Sequence, residues 1–203
     1  QTQLDDKATA VQGTDFVFSN AHDLRIWGDD RSSHIRASGV IRNPYMHKVS
    51  KNSTTSLLGW GVQFSGTIKC CDWFRMFMNG VYGKGITPYI QDLTGSGLDF
   101  TPNPADPTLV RMMPMWGVQA AGQINFTPRL FVSGGYSTVR VQRSEGYYTA
   151  DQYKQGQYIF GNIFYSLTPR CKVAAEYLYG SRKDMNSMKN HANRVNVMVQ
   201  YNF

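Results

Sequence analysis

"ANRVNVMVQYNF", residues 192–203, decides how the rest of the chain is read. Counted back from the end, Phe203, Tyr201, Val199, Val197 and Val195 are aromatic or β-branched. The residues between them, Asn202, Gln200, Met198, Asn196 and Arg194, are mostly amide or charged. A period of two marks a strand with one apolar and one polar face. The apolar set runs through to the last residue, with no polar tail.

The same period recurs upstream. In 55–68 it sets Leu58, Trp60, Val62, Phe64 and Ile68 against Gln63, Ser65 and Thr67. In 73–82 it sets Phe74, Met76, Met78 and Tyr82 against Arg75 and Asn79. In 111–126 it sets Met112, Trp116, Val118, Ala120, Ile124 and Phe126 against Arg111, Gln119, Gln123 and Asn125. In 171–182 it sets Val173, Ala175, Tyr177 and Tyr179 against Lys172, Glu176 and Arg182. A looser version in 33–42 opposes Ile35, Ala37 and Ile41 to His34, Arg36 and Arg42. Segment 157–167 favours Ile159, Ile163, Tyr165 and Leu167 on one face, 129–142 fits either phase, and 20–27 is a further strand, with 1–19 read as irregular or an outer loop.

The connections alternate in length. "KCCD", "TPR" and "TPRC" are tight, whereas 83–110, 143–156 and 183–192 are long. This is a meander with two unequal ends. Strands of this length suit a membrane crossing of roughly 9–11 residues plus ends. In lipid only a closed barrel pairs every strand's backbone. Apolar-out and polar-in alternation, aromatic girdles, short turns and long loops are the marks of a transmembrane barrel. A soluble lipocalin-like barrel also alternates, but without the regular asymmetry of the connections.

Composition agrees. Aromatics are 13%, charged residues only 17%, and Gly reaches 19, a mixture suited to β structure and poor in helix formers. No apolar run approaches the 18 or so residues of a membrane helix. The three cysteines, Cys70, Cys71 and Cys171, form no CxxC and fall in tight turns. No motif calls for a cofactor or a metal. The formal charge of +7 admits nucleic acid, anionic lipid or anionic solutes as partners. Basic residues alternating with lipid-type residues are not a nucleic-acid surface.

Setting the tight turns on the periplasmic side gives eight strands from 33 to 203, and the short polar "GDDRS" at 28–32 then adds a ninth. An odd strand implies the C-terminal half of a larger barrel. The inward phase collects Arg36, Arg42, Lys69, Arg75, Arg111, Lys172, Arg182 and Arg194 against mainly Glu176. Such a surplus cannot be packed dry; it asks for a water-filled lumen, hence a barrel of roughly 16 strands. Arg36, Arg75, Arg111, Gln119, Gln123, Lys172, Glu176 and Arg194 are therefore the expected pore lining. Glu176 and Arg194 on neighbouring strands make a reasonable cross-strand ion pair.

"LLGWGVQFSGTI", "VYGKGITPYIQD", "AAEYLYGSRKD" and "ANRVNVMVQYNF", in that order, resemble the C-terminal half of the DcaP-like trimeric porins of the Gram-negative outer membrane, of the type found in Bacteroidetes. The resemblance covers about residues 20–203 and implies an all-β, 16-stranded transmembrane barrel. It further implies a homotrimer in outer-membrane lipid and lipopolysaccharide, inserted by the barrel assembly machinery, that passes small, often anionic solutes. It marks Phe203 with Tyr201 as the assembly signal. It makes 83–110, with four Pro and four Gly, a constriction loop carrying Lys84, Tyr89 and Asp92. Two rivals remain: a small eight-stranded structural or adhesion barrel, and an outer-membrane enzyme built on Ser181, Asp184, Ser187 and His191, whose spacing is not diagnostic.

Overall fold

The computed structural model describes residues 10–28, 32–48, 52–99, 101–103, 105–106, 109–142 and 146–203. Its strands in chain order are β1 (Ala10–Trp27), β2 (Ser33–Lys48), β3 (Ser53–Ser56), β4 (Gly59–Cys71), β5 (Phe74–Lys84), β6 (Thr101–Pro102), β7 (Val110–Arg111), β8 (Pro114–Thr127), β9 (Leu130–Val141), β10 (Tyr153–Thr168), β11 (Cys171–Asp184) and β12 (Lys189–Tyr201). A single sheet runs β1-β2-β4-β5-β8-β9-β10-β11-β12, with β3 paired to β2 beside it, and β6 and β7 form a separate two-stranded piece. Every pairing is antiparallel. The chain is thus an all-β up-and-down meander, the wall of a transmembrane antiparallel barrel.

Register fixes the faces. Val62, Tyr82 and Trp116 stand in one cross-strand row, as do Ile124, Val132, Ile163 and Ala175. This outward face is apolar and bare: Val195, Val197 and Val199 are 70%, 77% and 72% exposed. Burial of that face has to come from outside the chain, and lipid supplies it. The open phase of 129–142 resolves here, with Leu130, Val132 and Tyr136 outward and Phe131, Ser133 and Ser137 inward.

Aromatic residues gather at both ends of the apolar band. Trp73, Phe74, Phe126, Tyr165 and Tyr201 lie near the tight turns, and Trp60 and Tyr82 pack edge-on at 5.8 Å near the long loops. Phe74 to Tyr82 is nine residues of β5, about 27 Å along the strand, which matches the height of a lipid-facing band before tilt.

Three boundaries differ from the sequence reading. β1 begins at Ala10, not near 20, and a register shift between Thr14 and Val17 breaks the alternation that would have shown it. The connection at 183–192 shrinks to Met185–Met188, because Lys183 still pairs with Lys189. Both faces are polar there, so periodicity gives no signal. Met112 is not on β8 at all. It lies before Pro114 and packs with Met46. The middle of "GDDRS" lies outside the described residues.

Candidate pore wall and inward loop

β5 ends at Lys84 and the chain turns on Gly85, whose φ of +65° is left-handed and suits glycine. The following segment folds back over the inner face of the sheet as two single 3-10 turns, Thr87–Tyr89 and Gln91–Leu93. Apolar side chains hold it there. Ile86, Ile90, Leu93 and Leu98 are buried with Met113, Met115, Val141 and Met185, and Val40, Val81, Val139 and Tyr153 pack against them. The porin resemblance had implied an inward loop here.

The floor beneath the loop is made of glycine. A Cβ on Gly83 would stand 2.2 Å from the Trp60 carbonyl oxygen and 2.9 Å from Ile86 Cδ1; one on Gly61 would stand 2.9 Å from Ile86 Cγ2. No side chain larger than hydrogen fits where Ile86 is seated.

An ion pair fastens the same segment. Arg42 Nη1 donates to Asp99 Oδ2 at 2.8 Å and to the Gly85 carbonyl at 3.0 Å. Asp99 Oδ1 accepts the Thr87 amide at 3.0 Å. Arg42 and Asp99 are only 6% and 8% exposed. Two charges taken from water need this density of partners to be tolerated. Neither residue was expected in this role; Arg42 showed only its inward phase, and Asp99 lies 57 residues away.

The polar inner face continues below and beside the loop. Arg36, Arg75, Gln119, Gln123, Lys172, Glu176 and Arg194 all take the inward phase. Gln63 donates to Asn79 at 3.0 Å, Gln123 donates to Asn125 at 2.9 Å, and Ser133 donates to Asn162. Lys172 stands over the Phe131 ring, which stacks on Phe164 at 4.6 Å.

Several site expectations need correcting. Arg111 is not on the wall; it belongs to β7 within the loop and lies over Tyr147 at 4.7 Å. Lys84 is the last residue of β5, in phase with Met78 and Tyr82 on the outward face, so it stands apart from Tyr89 and Asp92. Glu176 and Arg194 do not pair directly, because Glu176 is opposite Asn196. Asn196 joins them, donating to Glu176 Oε1 at 2.9 Å and accepting from Arg194 Nε at 2.7 Å.

The inward charge surplus is also smaller than the sequence implied. Arg36 pairs with Asp23 at 2.8 Å, Arg42 with Asp99, Lys69 with Asp72 at 3.1 Å and Arg182 with Asp184 at 2.7 Å. Asp23 sits on the neighbouring strand, Asp72 in a tight turn, Asp99 in the loop and Asp184 at the end of Arg182's own strand, beyond the stretch whose alternation was read. Arg75, Lys172 and Arg194 have no acidic partner among the described residues.

Tyr89 and Asp92 do sit at the exposed tip of the inward segment. Tyr89 borders one cavity with Ser38 and Gln63 and a second with Asn79, Gln119 and Ser137. Asp92 shares that second cavity and also faces a third, of about 530 Å³, opposite Arg182 and Arg194. Partial desolvation at the cavity pushes the Asp92 carboxyl above the usual carboxylate range.

At the long-loop end, Ser181 and His191 are cross-strand neighbours. The Ser181 hydroxyl donates to Gln157 and His191 stacks on Tyr179, while Asp184 accepts from Arg182. The three are not linked as a nucleophile, base and orienting acid would be. Cys70, Cys71 and Cys171 are free thiols at the tight-turn end.

No protein-family model matches the chain, and no curated protein matches its sequence. Among solved structures it is similar to the outer membrane channel DcaP of Acinetobacter baumannii, at 18% identity and a TM-score of 0.80 over 96% of this chain and 54% of that one. The chain therefore spans about half the length of that channel. It also overlaps the NanC porin, at 8% identity and a TM-score of 0.46, over 96% of this chain and 97% of that one. The chain has the fold of the DcaP channel, in line with the family its sequence motifs resemble.

Proposed function

We propose that this chain forms the wall and constriction of an outer-membrane porin for passive diffusion of small hydrophilic, anionic solutes. The observation that carries the reading is the inward segment 85–99, clamped to the apolar part of an inner face that is polar elsewhere and whose opposite side is bare apolar surface. A soluble protein would bury that apolar side; a membrane barrel leaves it to lipid. Arg75, Lys172 and Arg194, without acidic partners among the described residues, give the inner face a positive potential that concentrates anions. The same proposal covers the wider setting: a barrel of 16 strands completed by further chain, a homotrimer in outer-membrane lipid and lipopolysaccharide, and Tyr201 with Phe203 as the signal read at insertion.

The test is electrical. The full-length protein is reconstituted in planar bilayers under a potassium chloride gradient, and the reversal potential is read. The expected result is stable channels preferring chloride to potassium, with the preference reduced or reversed by Arg75→Glu, Lys172→Glu and Arg194→Glu together. Correctly folded protein without conductance would sink the reading, and cation preference in the parent protein would sink its anionic part.

A further inference from the structure

Asp92 is at odds with a purely anionic filter. Its carboxylate is carried to the tip of the inward segment and lines a cavity of about 530 Å³ together with Arg182, Arg194, Tyr153, Tyr158 and Asn190. A volume of that size lies within the roughly 300–1,000 Å³ of small-molecule sites. The place for the acid is built: a Cβ on Gly156 would fall 3.1 Å from Asp92 Oδ2 and 2.2 Å from the Tyr153 hydroxyl, so glycine makes the room. No hydrogen bond or ion pair to the Asp92 carboxylate occurs among the described residues.

The basic side of the cavity is divided. Arg182 is committed to Asp184 at 2.7 Å and lies over the Tyr153 ring. Arg194 uses only Nε, toward Asn196 at 2.7 Å. Its two terminal nitrogens keep their donors for a ligand. One open carboxylate and one open guanidinium thus face a common cavity, with aromatic rings at its side.

We propose that this cavity binds solutes carrying a cationic and an anionic group together, zwitterions of dipeptide size, with Asp92 taking the ammonium and Arg194 the carboxylate. The proposal rests on the pore reading and narrows it: the basic wall offers donors to a carboxylate, and the loop tip adds an acceptor for a positive group on the same solute. An anion alone meets repulsion from Asp92, and a cation alone meets it from Arg194. Desolvation of Asp92, which pushes its carboxyl up, is relieved by a bound ammonium.

Three matched probes decide it in bilayers holding the full-length protein. They are alanyl-alanine, its N-acetyl form, which lacks the cation, and its C-terminal amide, which lacks the anion. Alanyl-alanine is expected to block ion current at about tenfold lower concentration than either, the worth of one hydrogen bond to a charged group. Asp92→Asn should bring alanyl-alanine to the level of the N-acetyl form, and Arg194→Gln to the level of the amide. If the N-acetyl form blocks the parent protein as well as alanyl-alanine does, the inference falls while the pore reading stands. Absence of channels overturns both. The parent ratio decides even where a variant does not fold.

Discussion

The two halves of the sheet's inner face share one strand period and differ in what covers them. Over β2, β4, β5 and β9 the inward positions are Val40, Gly61, Val81, Gly83 and Val139, and the loop packs on them with a buried ion pair. Over β11 and β12 the inward positions are Lys172, Glu176, Asn196 and Arg194, open to the lumen. Inward phase therefore does not mean pore lining. Small or apolar residues at inward positions mark where chain docks, and charged ones mark where water stays.

The largest effect is expected from breaking the covered half. Asp99→Asn leaves Arg42 buried against a neutral partner and should cost about 3–5 kcal/mol, read by urea unfolding in detergent, with larger and noisier single-channel currents. Replacing both partners with apolar residues, Arg42→Met with Asp99→Leu, should recover most of that loss. If the single and double variants are equally stable, the pair is not the clasp described.

Next comes the glycine floor. Gly83→Ala forces a methyl into the Trp60 carbonyl and should cost about 1–3 kcal/mol. Gly161→Ala, on the outward face where a Cβ meets nothing within 4 Å, should fall within about 0.5 kcal/mol of the parent. Equal costs would remove the distinction between the seat and the open wall.

On the bare half the expectation is function without stability. Lys172→Gln should leave the unfolding midpoint in place and lower chloride preference. A shifted midpoint with unchanged selectivity would make Lys172 a packing residue over Phe131.

The smallest effect is in pH. Because burial raises the Asp92 carboxyl, it takes up a proton on acidification before ordinary carboxylates do. The folded state binds that proton more readily than the unfolded one, so the contribution to stability favours acid and is lost as pH rises through the folded value. Chloride preference should therefore rise as pH falls toward the usual carboxylate range, and Asp92→Asn should flatten the rise in reversal-potential measurements. A parent protein with no such rise would place Asp92 in ordinary solvent.

Much of the wall was legible in the sequence, because each strand needs only its own residues to declare a phase. Val195, Val197 and Val199 face outward as the alternation said. What was not legible depends on chain brought from afar. Asp99 reaches Arg42 only once the loop has folded, and Asp23 reaches Arg36 only through the β1–β2 register. Glu176 and Arg194 looked like a pair because both are charged and on adjacent strands; the register sets Asn196 between them. The loop's inward course was implied by the porin resemblance, while its seat on Gly61 and Gly83 depends on three-dimensional approach that periodicity does not encode.

The apolar cluster under the loop touches β2 through Val40, β5 through Val81, β9 through Val141, β10 through Tyr153 and the turn after β11 through Met185. It spans the curved sheet as a chord spans an arc. Lateral pressure from a bilayer acts to flatten or buckle so wide a wall, and a chord fixes the radius of curvature. The position of the inward segment then depends on how tightly Ile86, Leu93 and Met113 fill the space beneath the span.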